Sequence, residues 1–269
     1  MKKILKFIFG HQSKTIKYLK ALRNSYIMCK KILPLLINKK LLFILRIIKG
    51  QIFKEFEPNL HKDKTYFSNK YQFNYGDWFS ININVWKKFL TTVKEIRYLE
   101  IGSFEGRSAV FVGELNNTKE VTCVDTFEGS EEHKDVNFDL VFKNCTVNLN
   151  KLNIPYNLVK ASSHSFFKNN FKKFNVIYID GSHFYEDVKK DFINSFMCLE
   201  DNGILICDDF YWFFYKKTEQ NPIMAILECY EYCKRDLEIL FVNHQIIFKK
   251  VNSNLQIKSN EVITKIGKK

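Results

Sequence analysis

The chain has 269 residues and a formal net charge of +13, and the excess charge is concentrated at one end. Of the 42 Lys and Arg residues, fourteen lie in residues 1–54, which contain no acid. The rest of the chain therefore contains 28 basic residues and all 29 acids. This distribution excludes a uniformly basic surface and indicates a basic arm before a nearly neutral body. The seven cysteines form no Cys-x-x-Cys pair, which is typical of reduced thiols in a cytosolic protein.

The predicted arm covers residues 1–70. It begins like a secretory signal, but Lys6 interrupts the apolar stretch, so we do not expect export. The pattern predicts two basic amphipathic helices, and the longest apolar run, Leu41–Leu45, is too short to span a membrane. Such an arm can lie on an anionic membrane surface, contact nucleic acid phosphates or pack on the body, and its interleaved Leu, Ile and Phe disfavour nucleic acid. Deleting residues 1–54 should abolish co-sedimentation with anionic vesicles if the membrane interpretation holds.

The first motif of the body is a strand, a tight turn and a helix. Ile96–Ile101 has strand composition, Gly102–Gly106 is bounded by two glycines, and Arg107–Leu115 has helical composition. Glycine allows a ligand to approach the backbone, and the N-terminus of the helix presents free N–H groups to it. A dinucleotide motif or a phosphate-binding P-loop would need other residues where Phe104 and Arg107 stand. The motif therefore predicts a small-molecule pocket, or else an ordinary turn between a strand and a helix.

The next strand, Glu120–Val124, ends in Asp125, twenty-three residues after Gly102. A carboxylate at the end of the second strand of such a unit lies where a ribose binds and can accept from both hydroxyls. Asp125 therefore favours a cofactor that contains adenosine, and the alternative is an aspartate that caps a turn.

Three further carboxylates follow two later strands. Asp180 ends the strand Phe174–Ile179, and Asp208 and Asp209 end the strand predicted at Gly203–Cys207. Parallel strands deliver such residues to one carboxyl edge, where open α/β sheets bind ligands. Because three neighbouring carboxylates repel one another, they indicate a hard cation such as Mg²⁺.

His183 stands three residues after Asp180 and is placed to act as a general base. The alternative is a histidine exposed to water at the start of a helix. Ser182 is predicted to cap that helix, and the residues at 201–203 are predicted to form the turn before the next strand.

These motifs resemble one family. Residues 100–108, Glu-Ile-Gly-x-x-x-Gly-x-Ser, resemble motif I of the class I S-adenosylmethionine-dependent methyltransferases, in the variant of small-molecule O-methyltransferases. Residues 180–187 and 203–209 are similar to methyltransferase domain family 24 and to the metal-dependent O-methyltransferases of the catechol type and of sugars and macrolides. The catechol-type enzymes carry Lys in place of His183 and usually Asn in place of Asp209.

The resemblance covers residues 74–251 and implies a Rossmann-like α/β fold. The expected sheet has seven mostly parallel strands in the order 3-2-1-4-5-7-6, with helices on both faces and a closing hairpin about residues 237–250. The tail, residues 252–269, is polar and basic. The implied cofactor-binding residues are Glu100, Gly102, Ser103, Gly106, Ser108, Asp125 and Ser162. The implied metal ligands are Asp180, Asp208 and Asp209, and the catalytic residues are His183 and Asp180.

The implied activity is an S-adenosylmethionine-dependent, Mg²⁺-assisted O-methyltransferase acting on a hydroxyl of a small molecule or glycan. We expect a cytoplasmic protein that acts at a membrane surface, and the aromatic residues Tyr211 and Trp212 could stack on an acceptor ring. The alternative is a membrane-associated protein that binds the cofactor without turnover. Methylation of nucleic acid is disfavoured, because the body is nearly neutral and no Asn/Asp-Pro-Pro-Tyr/Phe motif follows the fourth strand.

Overall fold

The computed structural model describes residues 66–67, 70–130, 133, 135–210, 212 and 220–251. Its contacts divide the chain into residues 1–59 and 60–269, and every described residue lies in the second unit. The predictions for residues 1–65, for Tyr211 and for the tail therefore lie outside the described residues. Within the described ranges, no helix has both the length and the apolar character that crossing a bilayer requires.

Strands and helices alternate along most of the body. The strands are β1 (Ile96–Ile101), β2 (Thr118–Asp125), β3 (Tyr156–Lys160), β4 (Phe174–Ile179), β5 (Leu199–Cys207), β6 (Leu237–Val242) and β7 (Ile246–Lys250). The α-helices are α1 (Ile83–Leu90), α2 (Arg107–Gly113), α3 (Phe138–Leu149), α4 (Ser163–Asn169), α5 (Tyr185–Cys198) and α6 (Pro222–Cys233), and a 3-10 turn, Ser80–Asn82, precedes α1.

The seven strands form one sheet in the order β3-β2-β1-β4-β5-β7-β6. β1 to β5 pair in parallel, and β7 pairs antiparallel with both β5 and β6. This topology confirms the predicted fold class. From β1 the chain builds outward to β2 and β3, and it then returns to place β4 on the other side of β1. Ligands bind at such a switch point, beyond the carboxyl ends of the strands.

The central strands are buried on both faces, which explains their almost continuous apolar sequence. Five of the six residues in β1 and in β4 are buried. The hydrogen-bond ladder continues to the first residue after each strand. Gly102 N–H donates to Val124 at 2.8 Å, Asp180 N–H to Ile101 at 2.8 Å, and Asp208 N–H to Ile179 at 2.9 Å. The sheet therefore fixes the backbones of all three residues at its carboxyl edge.

The predicted turn at residues 201–203 lies inside β5, which begins earlier than expected, at Leu199. The pairing with β4 is irregular there, because five residues of β5 span the distance that two residues of β4 cover. Asn202 adopts φ 62° within this irregularity. The polar Asp-Asn-Gly sequence therefore forms a bulge in the strand, where a separate turn was expected.

Ser182 does not cap α5 as predicted, because the helix begins three residues later, at Tyr185. The Ser182 hydroxyl instead donates to Asp187 Oδ2 at 2.8 Å and accepts from Phe184 N–H at 3.2 Å. It thereby shapes the loop that carries His183.

Buried polar side chains attach the segment at residues 72–75 to the body. Glu105 accepts from the N–H groups of Asn74 and Tyr75, at 2.8 and 3.1 Å, and from Asn144 Nδ2 at 2.8 Å. Asn148 makes two hydrogen bonds with the backbone of Gln72, accepting from its N–H at 2.7 Å and donating to its carbonyl at 2.8 Å. Because Glu105, Asn144 and Asn148 are buried, these directional bonds fix the path of the segment.

Candidate active site

The turn after β1 brings two backbones into contact. Gly102 has φ 85° and Gly106 has φ 76°, which is the left-handed region that side chains disfavour. A Cβ atom on Gly102 would lie 2.0 Å from the carbonyl oxygen of Asp180. Glycine is therefore required at position 102 both by conformation and by the close approach of Asp180.

Asp125 holds this turn. Its Oδ2 accepts from the N–H groups of Ser103 and Phe104, each at 2.8 Å, and its Oδ1 accepts from Phe127 N–H at 2.7 Å. Ser103, Gly102 and Asp125 all line the cleft described below. A carboxylate has about four acceptor sites, so three amide bonds leave capacity for a ligand hydroxyl. The ribose-binding role stays a prediction, and Asp125 also performs the turn-capping role that was its alternative.

Glu100 lies beneath the turn and does not line the cleft. It is fully buried and accepts from Ser108 Oγ at 2.7 Å and from Tyr98 Oη at 2.8 Å. Burial raises its pKa to about 8. Ser108 does line the cleft, and its hydroxyl is directed to Glu100. The cofactor-binding roles of both residues stay predictions.

The raised pKa of Glu100 predicts a pH-dependent stability. Between pH 4.5 and about 8 the unfolded chain has released this proton and the folded chain retains it, so the free energy of unfolding falls as pH rises, by at most about 1.4 kcal/mol per unit. The loss ends above the folded pKa, where both states are ionised. Glu100→Gln is neutral at every pH. Its free energy of unfolding, relative to that of the wild type, should therefore rise by at least about 1 kcal/mol from about pH 5.5 to about pH 8.

Urea unfolding at about pH 5.5 and about pH 8 measures this gain, with Glu95→Gln, at a half-exposed side chain, as the control for removing one acid. Parallel pH curves for the wild type and Glu100→Gln would contradict the prediction.

Ser162 is the N-cap of α4, and its hydroxyl accepts from Ser165 N–H at 3.2 Å. It also lines the cleft, so the capping role that was its alternative coexists with the predicted contact to the adenine edge. That contact stays a prediction. The next residue, Ser163, hydrogen-bonds to Asp191, a buried acid on α5 whose pKa burial raises to about 6. Sequence reasoning did not identify Asp191 among the residues of the cleft.

Asp180, His183 and Asp209 come together at the ends of β4 and β5. Each offers one ligand atom, and these atoms lie within 4.8 Å of one another. His183 Nε2 is 2.7 Å from Asp209 Oδ2. Asp209 has φ 53°, an uncommon conformation for a residue with a side chain. The structure therefore assembles two of the three predicted ligands together with the predicted base.

Asp208 is not a member of this group. Its Oδ1 accepts from Asp209 N–H at 2.8 Å, and its Oδ2 accepts from Gln245 Nε2 at 2.8 Å and from the hydroxyl of Tyr178. The Tyr178 hydroxyl is also 2.8 Å from Asp180 Oδ2. Asp208 Oδ2 thus faces Tyr178 and Gln245 and lies outside the group of three, and the ligand role of Asp208 stays a prediction.

The electrostatics of this edge suit a cation. Burial raises the pKa of Asp180 well above its usual range, and the negative charges of Asp208 and Asp209 raise it further. Burial and the charge of Asp209 likewise raise the pKa of Asp208. A divalent ion between Asp180 and Asp209 would offset this repulsion, and carboxylate oxygens are ligands that Mg²⁺ accepts. The donor set therefore fits a divalent ion.

The glycine turn, Asp125 and the group of Asp180, His183 and Asp209 border one cleft of about 1390 Å³. Pockets for one small ligand are roughly 300–1,000 Å³, so this cleft has room for a cofactor and an acceptor. Trp78 also lines it and is 61% exposed, and the ring of Trp212 lies 4.5 Å from that of His183. These aromatic rings offer flat surfaces on which a second ligand could stack.

Sequence reasoning missed Tyr178, Gln245 and His244. Tyr178 could have been found, because residues two apart in a strand share a face, and Tyr178 stands two before Asp180. His244 and Gln245 lie in the β6–β7 turn, and His244 lines the cleft. Because β6 and β7 lie far along the sequence from the glycine turn, no local signal links the β6–β7 turn to the site.

Comparison with protein families gives one match, to the model of a methyltransferase domain, Methyltransf_24, over residues 99–210. The matched range contains the glycine turn, Asp125 and the carboxylates after β4 and β5. A search of curated protein sequences found no match.

Solved structures similar to the chain include three methyltransferases. The O-methyltransferase TomG from Streptomyces achromogenes, in complex with SAM, is 10% identical, with 64% of this chain and 81% of that chain covered and a TM-score of 0.47. An O-methyltransferase from Bacillus cereus, in complex with SAH, is 14% identical, with coverages of 63% and 79% and a TM-score of 0.43. MycE from the mycinamycin biosynthetic pathway, in complex with Mg, SAH and mycinamycin VI, is 15% identical, with coverages of 69% and 52% and a TM-score of 0.45.

The family match confirms the resemblance found in the sequence motifs, and the strand order is the one that this resemblance implies. Residues 99–210 therefore match a methyltransferase domain, and the described body has the class I, S-adenosylmethionine-dependent methyltransferase fold.

Proposed function

We propose that this chain transfers a methyl group from S-adenosylmethionine to a hydroxyl of a small molecule or glycan, with the assistance of Mg²⁺. The observation that carries the proposal is the position of Asp180, His183 and Asp209, which share one cleft with the glycine turn and Asp125. A cofactor on the turn and a hydroxyl beside the carboxylates would then be neighbours in a single cavity.

The chemistry requires an electrophilic methyl and an oxygen nucleophile. When bound, S-adenosylmethionine supplies a methyl on a sulfonium sulfur, and a divalent ion lowers the pKa of a coordinated hydroxyl. Asp180 and Asp209 would hold the ion, and the turn at 102–106 with Asp125 would hold the nucleoside. Trp212, beside His183, presents a ring that can orient a planar acceptor or the apolar face of a sugar.

The mouth of the cleft supports an acceptor that is larger than a simple alcohol. Trp78 and His133 line the cleft and pack about Phe104, with ring centroids 5.4 and 5.6 Å from the Phe104 ring. This aromatic surface suits a cyclic compound or a glycan. The proposal also includes a peripheral position at an anionic membrane, through the basic residues 1–54, for an acceptor made at that surface.

Calorimetry and a transfer assay test the proposal. We expect S-adenosylmethionine to bind with and without Mg²⁺, and labelled methyl to be transferred to at least one member of a panel of catechols, sugars and macrolide glycosides. Chelation of divalent ions should stop transfer, and added Mg²⁺ should restore it. Cofactor binding without transfer to any acceptor would support the alternative, a binding protein without turnover. Transfer that survives chelation would refute the role of the ion alone.

A further inference from the structure

The two ring nitrogens of His183 have different surroundings. Nε2 lies 2.7 Å from Asp209 Oδ2, and Nδ1 is buried. The centroid of the Trp212 ring lies 4.5 Å from that of the His183 ring, and the His183 side chain is 17% exposed. A general base needs a nitrogen that a substrate hydroxyl can reach. The buried Nδ1 of His183 does not meet this condition, and Nε2 is directed at the carboxylate of Asp209.

Asp208 is held by contacts that come from the core. Gln245 and Trp86 are buried, and Trp86 Nε1 donates to Gln245 Oε1 at 2.8 Å. Because an indole nitrogen is a donor only, this bond fixes the amide of Gln245, so that its Nε2 donates to Asp208. Together with Tyr178 and the N–H of Asp209, it engages both oxygens of Asp208. Asp208 is thus positioned by three protein partners, and its oxygens are not among the clustered ligand atoms of Asp180, His183 and Asp209.

We infer that Asp180, Asp209 and the Nε2 atom of His183 are the ligands of the divalent ion, and that Asp208 is a positioning residue. Asp208 acts through Tyr178, which also contacts Asp180, and through the backbone of Asp209. The inference rests on the proposed function, because it concerns the same ion. It changes the role of His183 from base to ligand, since one lone pair cannot serve both.

The donor set also bears on the identity of the ion. Neutral imidazole is a common ligand of first-row transition ions, whereas Mg²⁺ is held mainly by oxygen. Two carboxylates and one imidazole therefore suit a first-row divalent ion better than Mg²⁺. We expect Mn²⁺ to bind the full chain at least about tenfold more tightly than Mg²⁺.

Pulsed electron paramagnetic resonance on the full chain loaded with Mn²⁺ tests the ligand role of His183. The wild type should show ¹⁴N coupling to the ion, and His183→Gln should lose it. His244→Gln is the matched control, because His244 also lines the cleft, and it should retain the coupling. Bound Mn²⁺ without ¹⁴N coupling, or coupling that survives in His183→Gln, overturns the inference and leaves the proposed function standing. A chain that binds the cofactor but no divalent ion overturns the inference together with the role of the ion in the proposed function.

Mn²⁺ titrations of further variants test the role of Asp208. Asp208→Asn and Gln245→Met should weaken Mn²⁺ binding by similar factors, the double variant should be no worse than either, and ¹⁴N coupling should persist in all three. Asp209→Asn should weaken binding more than any of them. Circular dichroism and a cofactor titration check that each variant is folded. If Asp208→Asn loses Mn²⁺ as completely as Asp209→Asn and Gln245→Met does not, Asp208 is itself a ligand and the inference is wrong.

Discussion

Gly102→Ala is expected to lower the free energy of unfolding by about 3 kcal/mol or more and to abolish cofactor binding. The new Cβ would lie 2.0 Å from the carbonyl oxygen of Asp180 and 2.7 Å from the Cα of Gly181, on a residue whose φ is 85°. Both contacts are with backbone, so no side-chain rotation can relieve them. The end of β1 and the end of β4 must then separate, and the cofactor turn is lost with them.

Gly106→Ala is the matched control for Gly102→Ala. Its φ of 76° also carries the left-handed cost of roughly 1–2 kcal/mol, but the nearest atom to a new Cβ is Cys145 Sγ, at 3.2 Å. Chemical denaturation and calorimetry with S-adenosylmethionine measure both variants. Equal stability of the two variants would contradict the argument, because it would mean that the close approach to Asp180 costs nothing.

Asp180→Asn is expected to lower methyl transfer at least about 100-fold, which corresponds to about 2.7 kcal/mol, with cofactor affinity unchanged within about threefold. The amide still offers an oxygen to the Tyr178 hydroxyl, which contacts Asp180 at 2.8 Å, so the fold should be retained. It loses the negative charge that would hold the ion. Because burial disfavours that charge, the variant should be at least as stable as the wild type.

Turnover assays, cofactor calorimetry and thermal unfolding of the same preparation separate these effects on Asp180→Asn. Asp201→Asn serves as the control, because Asp201 is an exposed acid in the irregular part of β5, away from the carboxyl ends of the strands. Full activity in Asp180→Asn would show that the carboxylate takes no part in the reaction.

Local patterns in the sequence were sufficient to predict the central strands, and the family resemblance supplied the strand order. β1 and β4 are short apolar runs that end in a glycine or an acid, and both were predicted at their observed bounds. The start of β5 was predicted wrongly, because an Asp-Asn-Gly sequence normally forms a turn and here the pairing with β4 absorbs it as a bulge. Pairing between strands decides such a case, and it is not encoded locally.

The candidate site was predictable in position and only partly in detail. Strand ends place Asp180, Asp208 and Asp209 at one edge, as the sequence indicated. The direction of each carboxylate depends on distant partners, because Asp208 is held by a glutamine 37 residues away and by a tyrosine 30 residues away. Spacing along the chain carries no information about these partners, so the contacts that orient Asp208 could be seen only in three dimensions.

The hydrogen bonds between residues 72–75 and the body bear on where a self-sufficient fragment can be cut. A fragment trimmed to the family match, residues 99–210, would remove the backbone groups that satisfy Glu105 and Asn148. Orphaned buried polar groups cost about 1–3 kcal/mol each, against a total stability of about 5–15 kcal/mol for a typical protein. The smallest autonomous folding unit therefore starts upstream of residue 72, and homology boundaries are the wrong guide for designing expression fragments of this enzyme.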